Sequence, residues 1–436
     1  MVNRLEVMTR RRVINLGRFS PSLIVLQQGS WMLFATVITG VLNYLSNMFM
    51  GRMLGPSDYG VFAALLALFN LWMALTGVAQ TVVTNYTARL AALNDWPGLR
   101  GLAWGAFCWI AIVGLIASVG ISMGIGWISN ALQIISPGPV LVLAATLLPT
   151  AWMSLGLGIL RGQQRFGMFG GALVSGAMLR LVGGVALVLL GAGVVGAMAS
   201  LVFAPLASIA IAVIALTDVW KNRKERSSPR LEALGKFVGY AAVGTLCYTL
   251  LTSIDMLVVR GRFTSLEYGL YAAVATVGKT TLWVSGAFVA IFFPKVVARS
   301  ALEQSTVPLL RIAQMAVLGL CGSATLVFFL AGPQVMRVLY GEKYLELAHL
   351  LGLYGLAMTL YALVSLWFNY FFALKKTAYI WMLVAGVFIQ TAILYLVASD
   401  PNRIIVGMIW GGFGLVMAGE ILLRLLTLKL VWSKET

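Results

Sequence analysis

The sequence is 436 residues long, 60% apolar and only 10% charged, with a formal net charge of +17. A water-soluble fold carries about a quarter of its residues as Asp, Glu, Lys and Arg, so this chain has too little charge to coat a soluble surface and lipid must be its main solvent. A helix crosses the hydrocarbon with about 20 apolar residues, which leaves material for roughly a dozen crossings and excludes a single-anchor enzyme.

The chain opens with Arg4, Arg10, Arg11, Arg12 and Arg18. The apolar run that follows is far longer than a signal-peptide core and lacks a small-residue cleavage site, so it reads as a retained anchor. Runs free of Asp, Glu, Lys and Arg then mark out twelve expected spans, near 22–50, 59–88, 100–125, 139–160, 167–191, 194–217, 237–259, 268–294, 308–331, 347–373, 377–398 and 404–428. Ser136-Pro137-Gly138-Pro139 splits the longest charge-poor run into two crossings, and Gly191-Ala192-Gly193 separates spans 5 and 6. The alternation of apolar and polar residues that a β-barrel needs is missing, so the expected fold class is an all-α integral membrane protein. Cys108, Cys247 and Cys321 sit in apolar stretches without metal-ligand spacing and read as packing residues.

With the N-terminus inside, the inner segments hold 23 lysines and arginines, while the outer side has six: Arg52, Arg260, Arg262, Arg337, Lys343 and Arg403. This asymmetry places both termini in the cytoplasm, so the basic excess reports orientation and not a nucleic-acid partner. The most polar stretch, Asp218 to Lys236, falls just past the midpoint and reads as a cytoplasmic linker between two six-helix lobes, 1–217 and 237–436. Internal similarity supports the division: GRMLGPSDYGVFAAL (51–65) follows span 1 and GRFTSLEYGLYAAV (261–274) follows span 7. LRGQQRF (160–166) likewise has its counterpart in ALKKTAY (373–379). Six helices per unit preserve orientation, so the repeats are parallel, and a cavity between them is the expected substrate path.

The order of these elements, together with ILRGQQRF between spans 4 and 5, Asp255 ahead of GLYAAV, and LYGEKYLELAHLLGLYGL (339–356) entering span 10, resembles polysaccharide-export flippases over essentially the whole chain. These belong to the multidrug/oligosaccharidyl-lipid/polysaccharide exporter superfamily. The resemblance implies two pseudo-symmetric lobes around a central cavity and no enzyme chemistry. It further implies translocation of an undecaprenyl-pyrophosphate-linked oligosaccharide from the inner to the outer leaflet of a bacterial plasma membrane by alternating access. The implied partners are the lipid-linked oligosaccharide, membrane lipid, a polysaccharide polymerase and glycosyltransferases. The alternative within the same fold is a cation-coupled multidrug exporter. Such proteins favour acidic cavities, whereas only Asp255 and Glu420 lie within the spans here. A membrane-embedded glycosyl transferase would want acids, histidines or a metal in a sizeable loop, and the loops are short.

An anionic head group crossing the hydrocarbon needs cations in a wet interior to offset its desolvation. Arg180 and Lys279 are each the lone charge in their spans, 5 and 8, and are the sharpest substrate-binding candidates; Thr276, Thr280 and Trp283 share the Lys279 face at helical spacing. Asn43 and Asn47 in span 1, with Thr76, Gln80, Thr81, Thr84 and Asn85 in span 2, offer amides and hydroxyls that either bond sugars or join helices. Asp255 ends a polar face begun by Thr245, Thr249 and Thr252; it either pairs with an outer arginine such as Arg52 as a gate, binds a coupling cation, or is a plain interfacial acid. Glu420 precedes Arg424 by one turn, which suits a local salt bridge, and His349, the lone histidine, reads as an interfacial residue. No GxxxxGK[ST] sequence occurs, so the chain carries no P-loop, and neither a metal nor a cofactor is expected.

Overall fold

The structure, a computed structural model, describes residues 21–217, 235–282, 304–397 and 400–435, with scattered residues between 286 and 302. The N-terminal arginines, nearly all of the 218–236 linker and Trp283 lie outside the described residues. Among those described, the regular elements are all helical: α1 (Pro21–Ala92), α2 (Trp96–Met123), α3 (Ile125–Ala131), α4 (Gly138–Gly162), α5 (Phe166–Leu187), α6 (Gly193–Ala215), α7 (Gly235–Leu251), α8 (Ile254–Arg260), α9 (Ser265–Gly278), α10 (Val307–Leu339), α11 (Leu351–Ala373), α12 (Ala378–Val397) and α13 (Pro401–Glu435). Most are long and apolar enough to cross a bilayer, and the chain is a multi-pass membrane protein. The expected spans fall on helical residues, with spans 1 and 2 in one bent element, span 7 divided between α7 and α8, and only the first part of span 8 described.

The junctions explain where sequence-derived boundaries and helices part company. Spans 1 and 2 form one 72-residue element bent at Gly55, with φ 76° and ψ 170°. Only glycine adopts that backbone readily, and Pro56 starts the next arm with its φ already fixed, so no coil is needed between the arms. Gly191, at φ 86°, does the same between α5 and α6. Helices α7 and α8 meet at a 47° bend at Thr252-Ser253. Entry to α9 is a capping box: the Glu267 N–H donates to Thr264 Oγ1 at 3.3 Å, and the Thr264 N–H donates to Glu267 Oε2 at 3.0 Å. The α9 ladder is interrupted at Lys279, its cap, and helical geometry resumes over Thr280–Leu282, the last described residues of that stretch.

Helices α1, α2, α4, α5 and α6 pack on one another, and α7 and α10–α13 do the same, while α9 and α7 are seated against α1 across the middle. Small residues permit the close approaches that lipid alone does not drive. The tightest lies at the crossing, where a Cβ on Gly269 of α9 would stand 1.7 Å from the Pro56 carbonyl oxygen. Gly269→Ala must therefore push the two halves apart. Overpacking of this kind costs about 1–3 kcal/mol, so the variant is expected to melt several degrees lower in detergent when scanned by intrinsic fluorescence.

Two rims can be told apart. One carries Arg89, Arg161, Arg165, Lys375 and Lys376 and is called here the basic rim; the far rim carries Arg52, Arg260 and Arg337.

Candidate functional site

A cavity of about 310 Å³ opens between the halves, walled by the second arm of α1 (Gly77, Thr81, Asn85), by α7 (Thr245) and by α11 (Phe368, Asn369, Phe372). Gly77, Thr81 and Asn85 recur every four residues, which puts them on one face of the helix. The polar residues of span 2 therefore divide. Thr81 and Asn85 face the cavity, whereas Thr84 donates to the Gly158 carbonyl at 3.1 Å inside its own half. Gln80 is half-buried and is not among the residues that wall this cavity. Asn369 Nδ2 donates to the Ser365 carbonyl at 2.8 Å, which leaves its amide oxygen for another partner. A few amides and hydroxyls on both walls stand among apolar residues that include Met73, Val78, Val82, Phe368 and Phe372, a lining suited to an amphipathic ligand with an apolar face and a few polar groups. Asn369 was not singled out from the sequence; its signal is a lone amide in a long apolar span.

In the first half, three of the expected residues come together. Arg180 of α5 donates from Nη1 to Asn43 Oδ1 at 2.9 Å and from Nη2 to Asn47 Oδ1 at 3.3 Å. The side chain is 9% exposed and its Nε has no hydrogen-bond partner among the described residues. No carboxylate is paired with it among them; its bonded partners are neutral amides. A guanidinium held this way is oriented without being neutralised.

In the second half, Asp255 of α8 is fully buried, and its Oδ2 accepts hydrogen bonds from Tyr271 at 2.9 Å and Tyr354 at 2.8 Å. Its Oδ1 is buried with no partner among the described residues. Lys279 is half-buried, lies within the electrostatic reach of this carboxylate, and forms no ion pair with it. The bend between α7 and α8 is what turns Asp255 inward, towards the phenols of α9 and α11. The two tyrosines were not legible as partners from the sequence.

The expected pairing of Asp255 with Arg52 does not occur. Arg52 donates from Nε to the Leu339 carbonyl at 2.8 Å and from Nη2 to the Val338 carbonyl. The aspartate lies too deep, committed to phenols, while the arginine is exposed at the rim. Glu420 has Arg424 at 3.5 Å, but its stronger partner is Arg311, which approaches its two oxygens at 2.6 and 2.8 Å. His349 sits exposed in a short 3₁₀ turn, its Nδ1 at 3.1 Å from the Glu346 carbonyl. Among the described residues no group of three His, Cys, Asp or Glu is placed to hold a metal.

The far rim is shut. Tyr59 of α1 bonds the Thr276 hydroxyl of α9 and the Tyr340 hydroxyl, each at 3.0 Å, and Tyr344 donates to the Gly51 carbonyl at 2.6 Å. Burial pushes the Tyr344 phenol up, so it stays a neutral donor. Arg260, fully buried, donates from Nε to the Leu132 carbonyl at 2.5 Å and from Nη2 to the Gln133 carbonyl at 3.0 Å.

Residues 49–349 match the family model described as "Polysaccharide biosynthesis protein". No curated protein matches the sequence. Among solved structures, an inward-facing multidrug resistance MATE family transporter of the MOP superfamily superposes with a TM-score of 0.75 at 15% identity, covering 91% of this chain and 99% of that one. An outward-facing MATE structure gives 0.65 at 16%, covering 97% and 99%. The lipid II flippase MurJ, in an inward closed conformation, gives 0.64 at 12%, covering 90% and 87%. At such identities the likeness establishes the transporter fold.

Proposed function

Because the chain belongs to the polysaccharide biosynthesis protein family, we propose that it flips an undecaprenyl-pyrophosphate-linked oligosaccharide from the inner to the outer leaflet of a bacterial inner membrane. The two halves act as lobes, 1–217 and 237–436, rocking about the central cavity with the 218–236 linker and both termini in the cytoplasm. The basic rim is then the cytoplasmic one, and a cavity lined by Asn85 and Asn369 beneath a shut far rim corresponds to an inward-facing stage of alternating access. Glycosyltransferases upstream and a polysaccharide polymerase downstream are the partners such a step implies.

The observation that carries this reading is the pair of interior cations that form no salt bridge among the described residues: Arg180 bonded only to amides, and Lys279 near Asp255 but not paired with it. A unit charge pair 4 Å apart gains about 4 kcal/mol at an effective dielectric near 20, so an interior cation can offset much of what a phosphate loses on leaving water. Asn43 and Asn47 position Arg180, and Asn85 is assigned to the glycan path. Asp255, whose Oδ1 has no partner among the described residues, serves as the site of a coupling monovalent cation or proton.

The test is leaflet exchange of a fluorescent undecaprenyl-pyrophosphate oligosaccharide in vesicles containing the purified protein. Exchange well above protein-free vesicles is expected, and Lys279→Gln should slow it about tenfold, the loss of one charge-assisted contact of about 1.5 kcal/mol. Folded protein with no exchange would refute the assignment. The second reading, a cation-coupled multidrug exporter, draws on the same oxygen of Asp255; resistance of expressing cells to cationic dyes would favour it.

A further inference from the structure

The far rim holds an exchange that the tyrosine contacts do not explain. Arg52 stands at the end of the first arm of α1, and both carbonyls it bonds, Val338 and Leu339, close the last turn of α10 in the other lobe. Arg260 stands at the end of α8, and both carbonyls it bonds, Leu132 and Gln133, lie just past the end of α3 in the first lobe. The 209-residue offset that maps Tyr59 onto Tyr268 also carries the end of α3 to the end of α10. Arg260, however, stands two residues before Arg262, the partner of Arg52 in the repeated Gly-Arg opening, so the termini correspond and the two guanidiniums reach them from neighbouring positions. Each lobe thus sends one guanidinium to the equivalent helix terminus of the other.

The chemistry of those termini fits the role. The last carbonyls of a helix have no N–H partner within it and carry the negative end of its dipole, so a cation there satisfies orphan acceptors and a field together. No backbone N–H donates to these carbonyls among the described residues. Arg260 also lies over the Tyr268 ring, 5.1 Å from its centroid, and is fully buried, which fixes its fork. Both ends of each contact belong to different lobes, so neither survives their separation at this rim.

We propose that Arg52 and Arg260 form a reciprocal arginine clasp, each capping the other lobe's helix terminus, and that release of both guanidiniums is the step that opens the outer side. The clasp sets the ratio of outward-open to closed protein. It rests on the alternating-access reading for its use, and on the geometry alone for its existence. Both arginines are positioning residues that act through the lobes and need not touch the transported molecule.

Spin labels on cysteines replacing the exposed Asp58 and Glu346, one on each lobe at this rim, in a background without the three native cysteines, report the opening as a distance distribution in nanodiscs. Arg52→Gln and Arg260→Gln should each move population to longer distances, with the double variant raising the open-to-closed ratio at least tenfold. Arg260→Lys, which keeps the charge but not the fork, should fall between. Arg52→Gln alone keeps the test sharp if the buried variant folds poorly, because Arg52 is exposed. An unchanged distribution for Arg52→Gln and the double variant, with leaflet exchange intact, overturns the clasp and leaves the flippase reading standing. A shift in a protein that shows no leaflet exchange supports the clasp and counts against that reading; neither a shift nor exchange overturns both.

Discussion

Asp255→Asn is expected to remove gradient-driven transport while leaving the protein folded and passive exchange within about twofold of normal. The amide oxygen of asparagine still accepts from Tyr271 and Tyr354, so the two buried phenols keep their acceptor. What disappears is the negative charge presented by the free Oδ1, which no described residue satisfies. A hydrogen bond or contact to a charged group is worth about 1.5–3 kcal/mol, so the loss corresponds to roughly a ten- to hundredfold fall in the driven rate. Vesicles with an imposed sodium or proton gradient give the measurement, comparing initial rates with and without the gradient for both proteins. If the variant keeps its response to the gradient, Asp255 is not the coupling site.

Arg180→Met is expected to separate stability from activity. Burying a guanidinium without a counter-ion costs several kcal/mol even after relaxation, and methionine removes that penalty at similar volume. Two amide oxygens, of Asn43 and Asn47, are left without their donor, at about 1–3 kcal/mol each. The two effects nearly cancel, so the melting temperature should stay within a few degrees or rise, while leaflet exchange falls at least tenfold. A purely architectural arginine would behave in the opposite way, with a lower melting temperature and unimpaired exchange in the molecules that remain folded.

The sequence made the helical class and the course of the spans legible because both follow from composition and from the spacing of charges, which lipid punishes locally. Arg180 and Lys279 stood out for the same reason. What their side chains do was not legible, because it depends on which helix crosses which. Asn43 and Asn47 are Arg180's partners only because α1 and α5 pack together, and Asp255 meets Tyr271 and Tyr354 only because α7 and α8 break before it. The pairing of Arg52 with Asp255, one of the three readings open for that acid, is absent for a similar cause: both are near the far-rim end of a span, but one sits at the rim and the other inside the core. Asn369 was passed over because a single amide in an aromatic-rich helix carries no pattern, and only the cavity gives it a role.

The confinement of the break in α1 to the single residue Gly55 has a mechanical consequence. Asn43 and Asn47, tied to the buried guanidinium, lie on its first arm, and Thr81 and Asn85, walling the cavity, lie on its second. Arg52 and Tyr59 flank the elbow itself. Only one residue, Gly55, leaves helical geometry at this joint, so the proposed glycan path at Asn85 and the proposed clasp at Arg52 are connected through a single hinge position, with roughly fifty ångströms of chain between them at about 1.5 Å per residue.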